Sequence, residues 1–163
     1  MSDTRSFILP TSITTPIDVS RVLREIHDVD DFLDQASIRK PGVQPSLPKT
    51  SRLLDELLNT NKLNILVEKD RELVQQLVGE IKAKAPVLHI SFSADPTPTF
   101  LQKLVAWLRQ EIHPLVLIQV GLQPSIGAGC IVRTNNKHFD FSLRQNLRAK
   151  RELLMQEISG SKG

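Results

Sequence analysis

Four histidines, one cysteine, a pair of glycines and a run of arginines are the residues here whose types could do chemistry. His27, His89, His113 and His138 fall on separate expected elements. None pairs with Cys130 or a carboxylate at a metal-ligand spacing such as His-x3-His or Cys-x2-Cys. Cys130 lies among Ile131 and Val132, where a cysteine is expected to serve as a small buried hydrophobe rather than as a nucleophile. Asp140 and Ser142 set an acid beside a hydroxyl, and His138 shares a strand face with Asp140. Hairpin closure and helix capping explain these residues better than catalysis, and neither a metal nor a cofactor is expected.

Gly127-Ala128-Gly129 has the composition of an anion-binding loop, but such loops open a helix and carry a Lys-Ser/Thr pair. Here a strand follows, so the glycines are read as letting the backbone enter a hairpin at close packing distance.

That hairpin is the best-defined local pattern. Residues 129–134 have the β-branched character of a strand, Asn135-Asn136 tolerates the positive φ of a tight turn, and residues 137–141 return with Phe139 and Phe141 on one face. Ser142 and Gln145 then have the spacing of a capping box. The helix it opens carries Leu143, Leu147, Leu154 and Ile158 on one stripe, with Arg144, Arg148, Lys150 and Arg151 elsewhere on its surface.

The elements before the hairpin follow from periodicity and punctuation. Thr15-Pro16-Ile17-Asp18 starts a helix with a cap, a first-position proline and an acid, and Val19, Val22, Leu23, Ile26 and Leu33 mark its apolar face to an end near Gln35. Ahead of it, residues 1–14 read as a tail docking through Phe7-Ile8-Leu9. Residues 37–48 hold Pro41, Pro45 and Pro48 and read as a linker or an extended arm laid over a surface.

A second helix spans residues 51–61, with Leu53, Leu54, Leu57 and Leu58 inward, and Leu63-Asn64-Ile65-Leu66 makes a short extended connection. A third covers residues 69–84 with Leu73, Leu77, Val78 and Ile81 on one side. From Val87 the period becomes two, with Leu88, Ile90 and Phe92 on the buried face of a strand. Asp95 or Thr97 caps the next helix, which buries Leu101, Leu104, Val105, Leu108 and Ile112, with Phe100 and Trp107 widening the stripe. Residues 115–120 form a second, more deeply buried strand.

The expected fold is therefore α+β: a small, mostly antiparallel or mixed sheet covered by helices in residues 63–163, preceded by a short helical region in residues 1–62. At 163 residues the chain fits one ordinary domain or a core with an appendage. Its 40% hydrophobic and 24% charged content are globular values, and the run Leu115-Val116-Leu117-Ile118 is far too short to span a bilayer. The lone Cys130 and an N-terminus unlike a signal peptide make a reducing, cytoplasmic setting the expectation.

Charge is uneven. Asp18 to Asp34 holds six acidic residues against Arg21 and Arg24, net −4, and Arg144 to Glu152 holds four basic against one acidic, net +3. An acidic partner for the C-terminal helix, contact between the two ends, or a plain solvated face would each account for this.

A small sheet with a basic helix is shared by many RNA-binding modules. Against it, Ile126-Gly127-Ala128-Gly129 lacks the two residues between the glycines of a KH loop, aromatics are only 4%, and Phe92, Phe139 and Phe141 are read as core rather than a stacking platform. RNA binding through the basic helix stays as the alternative, and nucleic acid is the less expected partner.

The motif Ala128-Gly129-Cys130-Ile131-Val132-Arg133, a turn, then Asp140-Phe141-Ser142-Leu143-Arg144 and Leu147 resembles the C-terminal signature of the delta subunit of F-type ATP synthases, the oligomycin-sensitivity-conferring protein family. The preceding helix, the strand at residues 87–93, a further helix and the strand at residues 115–120 match the family's order, so the resemblance covers about residues 63 to 155. The E subunit of V-type ATPases shares the hairpin-helix arrangement. Asn135 replaces the family's usual turn glycine, Phe141 replaces the glycine of Asp-Gly-Ser, and two helical segments with a Pro-rich linker stand where the family has a six-helix bundle.

The resemblance implies a non-catalytic peripheral-stalk subunit. It would link the α/β catalytic head to the b-subunit stalk helix at the cytoplasmic face of the membrane, without inserting into it, and support proton-driven ATP synthesis. The partner-binding candidates it suggests are Phe100, Trp107, Arg144, Arg148 and Arg151. Its signature residues are Gly129, Arg133, Asp140, Ser142 and Leu147.

Overall fold

Helix starts are where the sequence speaks most clearly, and the computed structural model, which describes residues 7–39, 42, 46–134, 137–143 and 151, follows them. Helix α1, Pro16–Arg39, opens on a reciprocal box: the Asp18 amide donates to the Thr15 hydroxyl at 3.1 Å, and the Thr15 amide donates back to the Asp18 carboxylate at 2.9 Å. Val19, Val22, Ile26 and Val29 are its buried face. It runs past Gln35 to Arg39, since residues 36–39 contain no breaker and the Ser37 hydroxyl bonds back to the Asp34 carbonyl at 2.7 Å.

Helix α2, Arg52–Asn61, is capped by Ser51, whose hydroxyl accepts from the Leu54 amide. The Ser51 hydroxyl also donates to Glu25 of α1 at 2.6 Å, so the cap ties two helices together. Lys62 ends α2 in the left-handed region at φ 55°. The stretch after it is a turn rather than the extended connection expected. Asn64 accepts from the Leu66 amide at 3.0 Å, an Asx turn that supplies locally what a strand partner would have supplied.

Helix α3, Glu68–Lys84, packs against α1, and its buried residues are Arg71, Val74, Val78 and Ile81. Leu73 is exposed and Leu77 half-buried, so the inward stripe is rotated from the expected one and begins with an arginine. Helix α4, Pro98–Glu111, is capped by Thr97, whose hydroxyl accepts from the Phe100 amide at 3.3 Å. Val105 and Leu108 are buried and Leu101 and Leu104 half-buried. Ile112, expected inside, lies beyond the helix end and is exposed.

Four strands make a mixed sheet of order β2-β1-β3-β4, with β1 Val87–Phe92, β2 Leu117–Leu122, β3 Cys130–Arg133 and β4 His138–Asp140. β3 runs antiparallel to β1 and β4 antiparallel to β3. β1 and β2, joined through α4, are its parallel pair. The α+β class expected from the sequence is thus the observed one. β2 starts two residues later than expected, because Pro114 and Leu115 are taken up in the turn after α4.

The chain divides into two compact units. A helical one comprises Met1–Pro86 and Leu101–Leu117, and a sheet one Val87–Phe100 and Ile118–Gly163. The boundary expected at residue 62 falls inside the helical unit, because α3 packs on α1.

In the sheet unit one face is apolar across three strands. Register sets Ile90 opposite Val132 and Val132 opposite Phe139, and this face loses cover toward the edge. Ile90 is 2% and Phe92 9% exposed, Cys130 and Val132 are half-buried, and Phe139 and Phe141 are 43% and 61% exposed. The expectation that Phe139 and Phe141 belong to the core is therefore corrected. They lie on and just after a three-residue edge strand, with their rings stacked on each other at 6.2 Å and 17°.

Candidate docking surface

Trp107 lies in the middle of α4 and is 57% exposed, a large apolar ring left in solvent on the helical unit. Phe100, in the first turn of the same helix, is 48% exposed. Phe100 belongs to the sheet unit, where it and Phe92 form a T-shaped pair at 5.9 Å. Both aromatic candidates are therefore surface residues, as a docking role requires.

The hairpin signature converges at its base. Gly129 has φ 93°, and a Cβ there would lie 2.5 Å from the Phe141 carbonyl oxygen and 2.9 Å from the Ser142 Cα. Glycine is thus required twice, for its backbone conformation and for the close approach of the returning chain. Gly127, at φ 79°, ends the short 3-10 turn Pro124–Ile126.

Asp140 accepts from the Ser142 amide at 2.8 Å, and the Leu143 amide donates to the Ala128 carbonyl at 3.0 Å, so Ser142 is buried where the strands close. Arg133 is exposed and faces His138 across the ladder. Arg151 is helical and exposed. Arg144, Arg148, Leu147, the Asn135-Asn136 turn and the expected helix beyond Leu143, Arg151 apart, lie outside the described residues.

Cys130 is half-buried, and burial pushes its thiol up, away from the thiolate that a nucleophile needs. Among the described residues no group of three or more His, Cys, Asp or Glu side chains is gathered to hold a metal ion.

Two inward-facing cations, the half-buried Arg109 and the buried Arg71, do not show in the sequence. The Arg109 guanidinium donates to four backbone carbonyls: Leu9 at 2.9 Å, Pro10 at 2.8 Å, Ile13 at 2.5 Å and Val116 at 3.3 Å. Burial pushes it down to about 10, so it stays a cation at neutral pH. It fastens the N-terminal segment, whose Leu9 and Ile13 are buried.

Arg71 donates to Asp30 at 2.6 Å and to the carbonyls of Ile65 and Leu66 at 3.0 and 3.2 Å. That hydrogen bond holds the Asp30 carboxyl below its ordinary range. Both arginines occupy stripe positions, three residues before Val74 and four after Val105, and a cation on an apolar stripe was the available signal. The helical unit also contains an open cavity of about 480 Å³ lined by Phe7, Leu77, Ile81, Lys84, His113 and Leu115, among others.

In sequence, the chain matches no protein-family model, and no curated protein matches it.

Proposed function

We propose that this chain is a non-catalytic subunit of the peripheral stalk of a rotary F-type ATP synthase, similar to the delta subunit. It joins the α/β catalytic head to the b-subunit stalk helix and so supports proton-driven ATP synthesis. In this reading it works at the cytoplasmic face of the membrane as a peripheral component.

Such a part performs no bond chemistry. Its task is to hold a partner helix under torque, which calls for an aromatic anchor seated in an apolar contact and for charge pairs that fix orientation. The exposure of Trp107 is the observation that carries the proposal, because tryptophan is the residue most enriched among interface anchors. Phe100 supplies a second aromatic surface, and Arg144, Arg148 and Arg151 are the cations assigned to acidic partner residues. The hairpin motif at residues 128–144 gives the reading its specificity.

The test is recovery of partners from a detergent extract of membranes using the tagged full chain. Wild type is expected to bring down the α, β and b subunits, and Trp107→Ala to recover several-fold less b subunit. Absence of all three subunits would overturn the proposal.

The RNA-binding alternative keeps one specific observation, the exposed and mutually stacked Phe139 and Phe141, which could receive bases. Salt separates the two readings. Binding through phosphates weakens steeply as salt rises, whereas an apolar helix contact persists.

A further inference from the structure

The open cavity of the helical unit, about 480 Å³, has two chemically distinct parts. Its walls carry the apolar side chains of Phe7, Leu77, Ile81 and Leu115, of which Ile81 is buried and the other three half-buried. Its mouth carries Glu80, Lys84 and His113, all exposed. The last two turns of α3 supply Leu77, Glu80, Ile81 and Lys84, whose spacing sets them on one helix face, and the turn after α4 supplies His113 and Leu115.

The spare hydrogen-bonding capacity at the mouth is on the donor side. The His113 Nδ1 accepts from the Leu115 amide at 3.1 Å, which leaves its Nε2–H as a donor. Lys84 lies 4.0 Å from Glu80, an ion pair longer than a hydrogen bond, so its ammonium keeps its donors. Both carboxylate oxygens of Glu80 already have a partner, Lys84 for one and the Gln76 amide, donating at 3.5 Å, for the other. An oxygen-bearing anion would find donors here, whereas an amine would have to compete for Glu80.

From this we propose that the cavity binds a medium-chain monocarboxylate, with its hydrocarbon chain along Phe7, Leu77, Ile81 and Leu115 and its carboxylate on Lys84 and His113. Small-molecule sites are mostly apolar hollows of about 300–1,000 Å³ with a few convergent polar groups. A methylene takes up about the 30 Å³ of a water, so ten-carbon decanoate, with about twelve heavy atoms, fills about three quarters of the cavity. Hydrogen bonds between ionised partners then fix which end faces solvent.

Phe7 links the site to the N-terminal segment. Asn61 holds Ile8 at both backbone groups, accepting from its amide at 2.8 Å and donating to its carbonyl at 2.9 Å, and Arg109 holds the carbonyls of Leu9, Pro10 and Ile13. A ligand packed against Phe7 therefore steadies residues 8–13. None of this depends on the stalk reading.

The test is calorimetric titration of the full chain with decanoate, decylamine and decanol, which share a chain length and differ in the head. Decanoate should bind one per chain, at least about tenfold tighter than the other two, and each methylene removed should weaken it about threefold to fourfold. Lys84→Met should weaken decanoate about tenfold, and Lys84→Glu should reverse the preference in favour of decylamine. The Lys84 side chain is 76% exposed, so both variants should fold as wild type. Leu77→Trp fills the cavity and should abolish binding, while Lys69→Met, at the opposite end of α3, should change nothing. Hydrogen exchange at residues 8–13 should slow when decanoate is bound.

Equal binding of decanoate and decylamine, or undiminished binding by Leu77→Trp, would overturn the proposal. So would the absence of decanoate binding at about 1 mM. Binding to phosphatidylglycerol vesicles through Lys84 without uptake of decanoate would assign the mouth to a lipid surface and overturn it equally.

Discussion

Arg109 in the helical unit and Phe141 in the sheet unit each occupy the kind of site usually given to the other's residue type. The guanidinium is sunk among four carbonyls, and the phenyl ring lies 61% exposed beside an edge strand. The helical unit meets the hydrogen-bonding needs of an irregular N-terminal segment with a half-buried cation, because carbonyls out of reach of water must find donors somewhere. The sheet unit has most of its described backbone partners in the ladder, with the Asp140 carboxylate taking the Ser142 amide at the hairpin base. Its apolar face thins out across β3 and β4 into open surface. One unit is closed by polar groups inside, and the other is left unfinished by apolar groups outside.

Removing the cation should break the first half of that comparison, with the largest effect. Arg109→Met takes the guanidinium donor from the carbonyls of Leu9 and Ile13, while Pro10 keeps the Ile13 amide, and should cost about 3 kcal/mol in chemical denaturation. Faster hydrogen exchange should appear at residues 8–13 before any change in the sheet amides.

In the sheet unit the corresponding weak point is steric. Gly129→Ala adds a methyl group within 2.5 Å of the Phe141 carbonyl oxygen at a positive φ, for an expected loss of about 2 kcal/mol. Its measured signature should be disordering of residues 138–143 with α1 to α3 intact.

A smaller effect concerns Asp30, partly exposed beside Arg71. Its folded pKa is depressed below 3.8, chiefly by the hydrogen bond from Arg71, so its contribution is complete above the unfolded value and is lost as pH falls through the folded one. Asp30→Asn should therefore flatten the stability profile below about pH 4 and lower the plateau above it by about 1 kcal/mol.

The difference between the units also explains what could be read from the sequence. The starts of α1 and α2, the alternation of β1 and the closeness required at Gly129 follow from local chemistry: a cap, a proline, a period of two and a glycine at a positive φ. Leu88, Ile90 and Phe92 were legible because burial alternates along a single strand. Arg71 and Arg109 were not, because periodicity assigns charge to solvent and only tertiary structure brings carbonyls to meet it. Phe139 and Phe141 were misread for the opposite reason. Alternation tells which face a residue is on, but not how far toward an edge the cover on that face extends.

Within the docking surface, the tryptophan was legible as a residue but not as an exposed one. Trp107 continues an apolar stripe, and its 57% exposure depends on what packs beside α4. Being the chain's one tryptophan, it reports directly on its own burial. Its fluorescence should be that of a water-exposed indole in the isolated protein, and should shift to the blue, with shielding from iodide, when a peptide from the end of the b-subunit stalk helix is added. A peptide that binds without changing that emission, or one that does not bind at all, would contradict the proposal that this surface receives the stalk.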